Sequence, residues 1–532
     1  MIHYRLNNLK FPLDADINQV IKSVQKKLQE DMHITPQNMH IAKKSLDARH
    51  KDNLIFVYSL EFESEKELSE TTDLIKITPP EKLDYGTLKI NFKTRPVVIG
   101  AGPAGMMAAL ALAEAGAKPI ILERGAPVDE RQIAVQRFWQ TGQLDTTTNV
   151  QFGEGGAGTF SDGKLMTGIK KDKFTAKVLQ EFASAGAPEE ILYLAKPHIG
   201  TDKLLNMTRN LRHKIISLGG EYRFYEQLTD IEIIDNALKT ITVQKRSKES
   251  YKITTDKLFL ALGHSARDTF EMLYKRGLKI TQKPFSVGVR IEHKQKDINQ
   301  TQYGNKFHDS PYLGAADYKL AVHLKNNRSV YTFCMCPGGT VVGATNLEGH
   351  VVTNGMSEFA RNKENANAAL LVNVDERDFG SAHPLAGMYF QEDLEKKAFT
   401  LGGKNYFAPV QTVGDFLKSK PTTKLGSVTP SYTPGVTCSD FKKLFPHELY
   451  ESLQQGLQEM DRKLHGFASS DAVLTAVETR SSSPIRIVRE KNGQSNIKGI
   501  YPIGEGAGYA GGITSAAADG LKAVYLLDKE AE

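Results

Sequence analysis

The sequence predicts an α/β fold, in which a parallel-sheet core is interrupted by an inserted α+β domain and preceded by a small α+β domain. Three observations carry this reading. An apolar run at Val97-Val98-Ile99 enters a glycine turn, Gly100-Ala-Gly102-Pro103-Ala104-Gly105, and an alanine-rich stretch leads from it to a second apolar run, Pro119 to Leu122. That is the opening of a βαβ unit. A second pattern of strand, glycine loop and small-residue helix returns at Gly499 to Ala518, and the first 90 residues carry an amphipathic helix of their own.

Residues 1–90 are expected to form the N-terminal α+β domain, with a ferredoxin-like arrangement as one option. Ile17, Val20, Ile21, Val24 and Leu28 recur at helical spacing and mark one buried face, and Leu54 to Phe62 reads as a strand. The polar segment Glu63 to Asp73 and the Pro79-Pro80 pair form a linker region. Residues 91–274 are the first part of the core. After the βαβ opening they hold a Gly/Ser-rich stretch over 153–168, a helix from Asp202 to Leu218 stopped by Gly219-Gly220, β-like runs over 222–254, and a buried strand at Lys257 to Leu262. Residues 275–475 read as an inserted domain, because the core's signals resume only at Gly499; residues 476–532 complete the core.

Composition narrows the function classes. Hydrophobic residues at 40% and charged residues at 24% are ordinary for a folded soluble chain. The net charge of +6 comes from scattered lysines and arginines, so neither nucleic acid nor a membrane surface is an expected partner. No apolar stretch approaches the roughly 18–20 residues that span a bilayer. Three cysteines and no opening signal peptide fit a cytoplasmic setting. No metal site is expected.

The glycine turn carries the chemistry. GxGxxG directly after a strand and at the start of a helix is the context that a Rossmann-like dinucleotide site requires. Gly100 permits the tight turn, Gly102 lets a pyrophosphate approach the backbone, and Gly105 lets helix and strand pack closely. Pro103 and Ala104 open the helix, whose unpaired N–H groups and dipole stabilise anions. Glu123 ends the second strand, followed by Arg124, and a carboxylate there accepts hydrogen bonds from ribose hydroxyls. The same spelling recurs at Gly153 to Gly158 and at Gly506 to Gly511. The first is followed by a poor helix and the second by too few residues for a helix, a strand and an acid, so neither builds a complete site.

The C-terminal segment Gly504-Glu505-Gly506, with Gly511-Gly512-Ile513-Thr514-Ser515 after it, resembles the glutathione-reductase-type FAD superfamily. That resemblance implies FAD as cofactor. It places Gly504 and Glu505 at the ribitol–phosphate arm, and the backbone N–H groups of Gly512 and Ile513 near the pyrimidine edge of the flavin. A helix N-terminus there favours the reduced ring. Ala261-Leu262-Gly263 is similar to the element that hands such a domain over to its substrate domain, and Leu228 occupies the place of the superfamily's backbone contact to adenine. The runs Gln151 to Leu165, Gly263 to Asp268, Phe333 to Gly339 and Thr479 to Ile485 also resemble a narrower group, uncharacterised FAD-dependent dehydrogenases with an extra N-terminal domain.

The expected activity is therefore an FAD-dependent oxidoreductase, passing electrons between the flavin and a small-molecule substrate or electron acceptor. The alternatives are a flavin-dependent monooxygenase, or a flavoprotein whose N-terminal domain binds RNA or a protein partner. In the loop after Gly153, Ser161, Asp162 and Lys164 are placed to meet polar edges of the flavin, and a lysine there stabilises its anion. The candidates for chemistry are Lys164, His264, Cys334 and Cys336, with His198 as a further proton donor and Arg480 and Arg486 as carboxylate binders. Cys334 and Cys336 share a face on strand geometry, so two cysteines in a β-core is the competing reading.

Overall fold

The computed structural model describes residues 1–79, 81–165 and 172–528. Pro80 of the Pro79-Pro80 pair and residues 166–168 of the Gly/Ser-rich stretch lie outside the described residues.

The N-terminal unit is a four-stranded antiparallel sheet in the spatial order Gln37–Asp47, Ile55–Ser64, Ile2–Phe11, Leu74–Ile77. One helix, Ile17–Met32, covers it. Asp16 starts that helix with a capping box, its carboxylate accepting from the Gln19 N–H while the Gln19 side chain accepts from the Asp16 N–H. Val20, Val24 and Leu28 then pack on Tyr4, Tyr58, Leu60 and Phe62. Strand order and directions are those of the ferredoxin-like split βαβ, but residues 65–73 join the last two strands without the second helix.

The core is a five-stranded parallel sheet in the order Ile500–Pro502, Leu258–Leu260, Val97–Ile99, Ile120–Glu123, Glu221–Phe224. Its inner strands are covered on both faces, which is why they read as unbroken apolar runs rather than alternating ones. The helix Pro103–Glu114 is buried from Ala104 to Ala113. Such a helix has no polar face to expose, which matches its alanine and leucine content. The last helix, Ile513–Asp528, lies against it, and a Cβ on Gly520 would stand 2.2 Å from the Ala104 carbonyl oxygen. The C-terminal strand and helix are thus a packed part of the first βαβ unit.

The insertion is built on an eight-stranded, mostly antiparallel sheet with Phe285–Lys294 near its centre, between Asn365–Val374 and Val473–Glu478. The last of these strands runs through position 475. Phe285, Val287, Val289 and Ile291 point into the core formed with the helices Ala386–Leu401 and His447–Asp461. By strand alternation Ser286, Gly288, Arg290 and Glu292 face the other way. A two-stranded ribbon, Ile280–Gln282 with Ile485–Ile487, ties the two chain crossings between core and insertion.

Candidate functional site

A cavity of about 450 Å³ lies at the carboxyl ends of the parallel strands, where ligands of open α/β sheets bind. Four strand ends open onto it: Gly100 after Val97–Ile99, Glu123 and Arg124 at the end of Ile120–Glu123, Ala261 to Ala266 after Leu258–Leu260, and Ile503 and Glu505 after Ile500–Pro502. The inserted sheet closes the far side with Thr332 to Met335, Asn354, Glu478 and Arg480.

The glycine turn is sterically specified. Gly100 has φ +100°, and a Cβ there would stand 2.3 Å from the Ala261 carbonyl oxygen. A Cβ on Gly105 would stand 1.9 Å from the Gly100 oxygen. Gly102 caps the helix without a side-chain partner, so the first N–H groups of Pro103–Glu114 have no capping side chain at the cavity wall. At the opposite end, Gly512 and Gly263 both line the cavity, and a Cβ on either would meet nothing within 4 Å. Gly105 and Gly504 do not line it; they set the turn, a Cβ on Gly504 falling 2.7 Å from Ala104 Cβ.

Glu123 is buried, and its carboxylate accepts the backbone N–H groups of Ala101, Gly125 and Gly153, each at 2.9 Å. It therefore fastens the glycine turn and the 149–156 loop to one strand end. Arg124 lies over the Phe152 ring at 4.2 Å and makes a two-pronged pair with Asp268, which also accepts from Gln227 Nε2 at 2.6 Å. Leu228 lines the wall beside it.

Arg131 was not singled out by the sequence reading. Its guanidinium is fully buried and donates to five backbone carbonyls, those of Asn149, Val150, Gly153, Glu154 and Gly156. The signal existed: on the helix Val128–Thr141 the buried positions are Val128, Arg131, Val135 and Phe138, so one arginine stands in an apolar stripe. The loop it shapes also contains Glu154, fully buried, with Oε2 accepting from the Val128 N–H at 2.8 Å and Oε1 without a partner. Burial pushes this carboxyl up to about 7, against the pull of Arg212 and the Val128 N–H. A carboxyl with a raised folded-state pKa stabilises the fold fully below its unfolded value, and this contribution is lost as pH rises through the folded value. Wild type should lose ~2–3 kcal/mol more stability than Glu154→Gln between about pH 5 and about pH 8. Equilibrium unfolding of both proteins at the two pH values checks this.

On the inserted-domain wall Arg290 is fully buried, paired through Nε and Nη2 with Glu478, and its Nη1 donates to the Cys334 carbonyl at 2.8 Å. Cys334 is half-buried on the cavity wall, while Cys336 is buried behind it. The Cys336 thiol, Arg290 and Lys164 hold the Cys334 thiol below its usual range. Both cysteines lie in the strand Ser329–Gly343, which loses register between Phe333 and Cys336 and again between Cys336 and Gly339. Glu505 borders the cavity, where burial pushes it up to about 7 against the Gly512 N–H and Lys283.

Several expectations are corrected. Asp162 is fully buried and turned to Arg361 and Ser357, because an unpaired carboxylate there would be costly. Ser161 and Lys164 line the cavity, but the hydroxyl donates to the Gly158 carbonyl and the ammonium to the Met335 carbonyl. His264 lines the cavity, yet burial and the cations Arg480 and Arg267 push it down to about 3, so it is a neutral imidazole rather than a proton donor at neutral pH. His198 is away from the cavity, stacked on Phe359 with Nε2 at 3.1 Å from the Phe359 carbonyl oxygen. Arg480, expected to bind a substrate carboxylate, is buried against the Glu395 carboxylate of this chain, with Nη1 reaching Ser265 and Asn346. Arg486 is exposed and packs on Tyr509.

Comparison with known proteins matches two stretches of the chain that meet at residue 283. Residues 94–283 match the pyridine nucleotide-disulphide oxidoreductase family, and residues 284–481 match the family described as FAD-dependent protein, C-terminal domain-like. An uncharacterized protein of Clostridium beijerinckii is 48% identical over 99% of this chain and 98% of its own length. The chain belongs to this family of FAD-dependent proteins. Its cofactor is FAD, and its class is that of FAD-dependent oxidoreductases. Residues 1–63 of this FAD-dependent protein match a domain of unknown function. Among solved structures, a flavoprotein/dehydrogenase from Cytophaga hutchinsonii aligns at 12% identity over 82% of this chain and 78% of that one, with TM-score 0.36. A glycerol-3-phosphate dehydrogenase from Bacillus halodurans complexed with FAD aligns at 11% over 82% and 65%, with TM-score 0.37. No helix among the described residues is long and apolar enough to cross a membrane.

Proposed function

We propose that this protein is an FAD-dependent, dehydrogenase-like oxidoreductase that holds a small substrate between the flavin ring and the inserted sheet. The observation that carries the reading is a single cavity with two unlike walls. One is an uncapped helix N-terminus with glycine turns; the other is a polar sheet face bearing Asn354, Glu478 and Arg480.

The residues fit a dinucleotide. The bare N–H groups of Gly102 and Ala104, on either side of Pro103, suit a pyrophosphate. Glu123, Arg124 and Leu228 would hold the adenosine half, and Ala261, Gly263, Glu505, Gly512 and Ile513 the flavin half, where the absent side chains of Gly263 and Gly512 leave room. Bound FAD supplies two-electron transfer at its ring. The chain's part is to orient and enclose. Arg480, fixed by Glu395, presents an immobile cation to an anionic substrate group. His264, neutral, offers the substrate a hydrogen-bond donor or acceptor without adding charge. One complete βαβ nucleotide unit is present among the described residues, and on this reading the substrate itself reduces the flavin.

The test is anaerobic reduction of the FAD-loaded protein, followed by its absorbance, with NADPH and with a panel of small hydroxy and amino acids. The reading expects bleaching by a member of the panel and none by NADPH within the same time. Fast stoichiometric bleaching by NADPH alone overturns it.

A further inference from the structure

The helix Ile17–Met32 covers one face of the N-terminal sheet, and the other face looks onto the core domain across a second cavity of about 700 Å³. That volume is in the range of small-molecule sites. By strand alternation Val57, Ser59 and Glu61 stand on this face, opposite to Tyr58, Leu60 and Phe62 under the helix. Strand pairing sets Lys43 directly across from Ser59, and Arg5 across from Glu61. The facing wall is apolar, built from Leu179 on the helix Lys173–Ser184 and from Leu194 and Pro197 beyond it, with Thr175 among them. The two walls are fastened together at the rim. The Lys44 N–H donates to the Tyr193 carbonyl and the Ala195 N–H to the Lys44 carbonyl, each at 2.9 Å, so residues 193–195 extend the sheet beside its edge strand Gln37–Asp47.

Two features set this space apart from a gap in packing. Ser59 and Thr175 line it from opposite walls and are 8% and 3% exposed, and neither hydroxyl has a hydrogen bond among the described residues. Leaving a buried hydroxyl unbonded is costly, so each needs a partner inside the cavity. The charge of the lining is also of one sign. Arg5 and Lys43 border the cavity, and no carboxylate does among the described residues. Arg5 is neutralised by Glu61, which accepts from its Nε at 2.9 Å, whereas Lys43 forms no ion pair with a described residue. An uncompensated ammonium beside a free hydroxyl, facing an apolar wall, is the chemistry that recognises an oxyanion carried on an apolar body.

We propose that this cavity is a binding site for a small organic anion, its oxyanion head held by Lys43 and the Ser59 hydroxyl and its body lying on Leu179, Leu194 and Pro197, where Thr175 meets a further polar group. The site shares a wall with the flavin cavity but no residue. The Leu165 N–H donates to the Pro197 carbonyl at 3.0 Å; Leu165, Ala195 and Pro197 face the anion site, while Lys164 and Lys196 face the flavin cavity. The two assignments therefore stand or fall separately.

The experiment is calorimetric titration of the full chain with anilinonaphthalene sulfonate, an organic oxyanion with an apolar body, in saturating FAD so that the probe is kept out of the flavin cavity. Saturable binding at one site per chain is expected. Lys43→Glu should weaken it by about tenfold by reversing the charge, and Ser59→Leu by a similar factor by removing the hydroxyl and filling the space. Lys22→Glu makes the same charge change on the exposed side of the helix Ile17–Met32, and should keep the affinity within about twofold. Lys43 is exposed, so its variant decides the matter if Ser59→Leu does not fold. Absence of saturable binding, an unchanged affinity in Lys43→Glu or in folded Ser59→Leu, or an equal loss in Lys22→Glu overturns the proposal.

Discussion

Arg131→Ala is expected to destabilise the protein by roughly 4 kcal/mol and to yield chains without bound flavin. The wild-type guanidinium gathers the carbonyls at 149, 150, 153, 154 and 156, of which only those of Gly153 and Gly156 have a second donor among the described residues, the N–H groups of Gly156 and Thr159. Each hydrogen bond from a charged donor contributes about 1.5–3 kcal/mol, and buried carbonyls left unpaired cost a comparable amount; the five act as a unit, so the sum is not reached. Gly153 shows how tightly the loop wraps the side chain, since a Cβ there would lie 2.4 Å from Arg131 Cδ. The loop continues into Gly156, whose Cα lies 3.6 Å from the position of a Cβ on Gly102, so its collapse reaches the glycine turn directly. Arg131→Lys should fall between, because one ammonium cannot serve carbonyls spread around a planar fork. Urea unfolding and the ratio of flavin to protein absorbance in the purified variants check both statements.

Gly105→Ala is expected to weaken FAD binding by about 100-fold, corresponding to ~3 kcal/mol. The added Cβ would lie 1.9 Å from the Gly100 oxygen, 3.0 Å from its carbon and 3.2 Å from the Ala261 Cβ, and all three belong to rigid elements of the parallel sheet. Relief requires the helix Pro103–Glu114 to retreat. That helix is held on its other side by Gly520, where the closest atom is again backbone, so the shift is resisted and overpacking costs about 1–3 kcal/mol in stability as well. Retreat carries the uncapped N–H groups away from the pyrophosphate. Gly116→Ala, at the far end of the same helix with open space around it, should leave binding within about twofold, its cost being the positive φ of +79°. Fluorescence titration of the apoprotein with FAD separates the two.

How much of this was legible in the sequence differs by element. The turn at Gly100 to Gly105 was legible because steric exclusion leaves glycine alone at two positions, and such constraints are written locally. The return of the chain at Gly499 was legible as a pattern, but its packing partner was not: Gly520 against Ala104 is a contact between residues over 400 positions apart. Asp162 illustrates the opposite failure. Its position in a polar loop suggested a contact to the cofactor, whereas Arg361 and Ser357, supplied by the inserted domain, turn it away. The alternation Phe285-Ser-Val-Gly-Val-Arg290-Ile-Glu292 already places an arginine and a glutamate on the face opposite the apolar one. It does not say that this face bends the Cys334 strand. His264 shows the limit for electrostatics: the residue lines the cavity, but its neutrality comes from burial first and then from Arg480 and Arg267, and Arg480 is 216 positions away.

The most direct test of the account is electron density for the FAD-loaded protein. The adenosine half should lie beside Arg124 and Leu228, the pyrophosphate against Gly102 to Ala104, and the flavin ring between Gly512 and the wall formed by Phe333 and Cys334. Density that runs in the opposite sense, or lies outside the cavity, would contradict it.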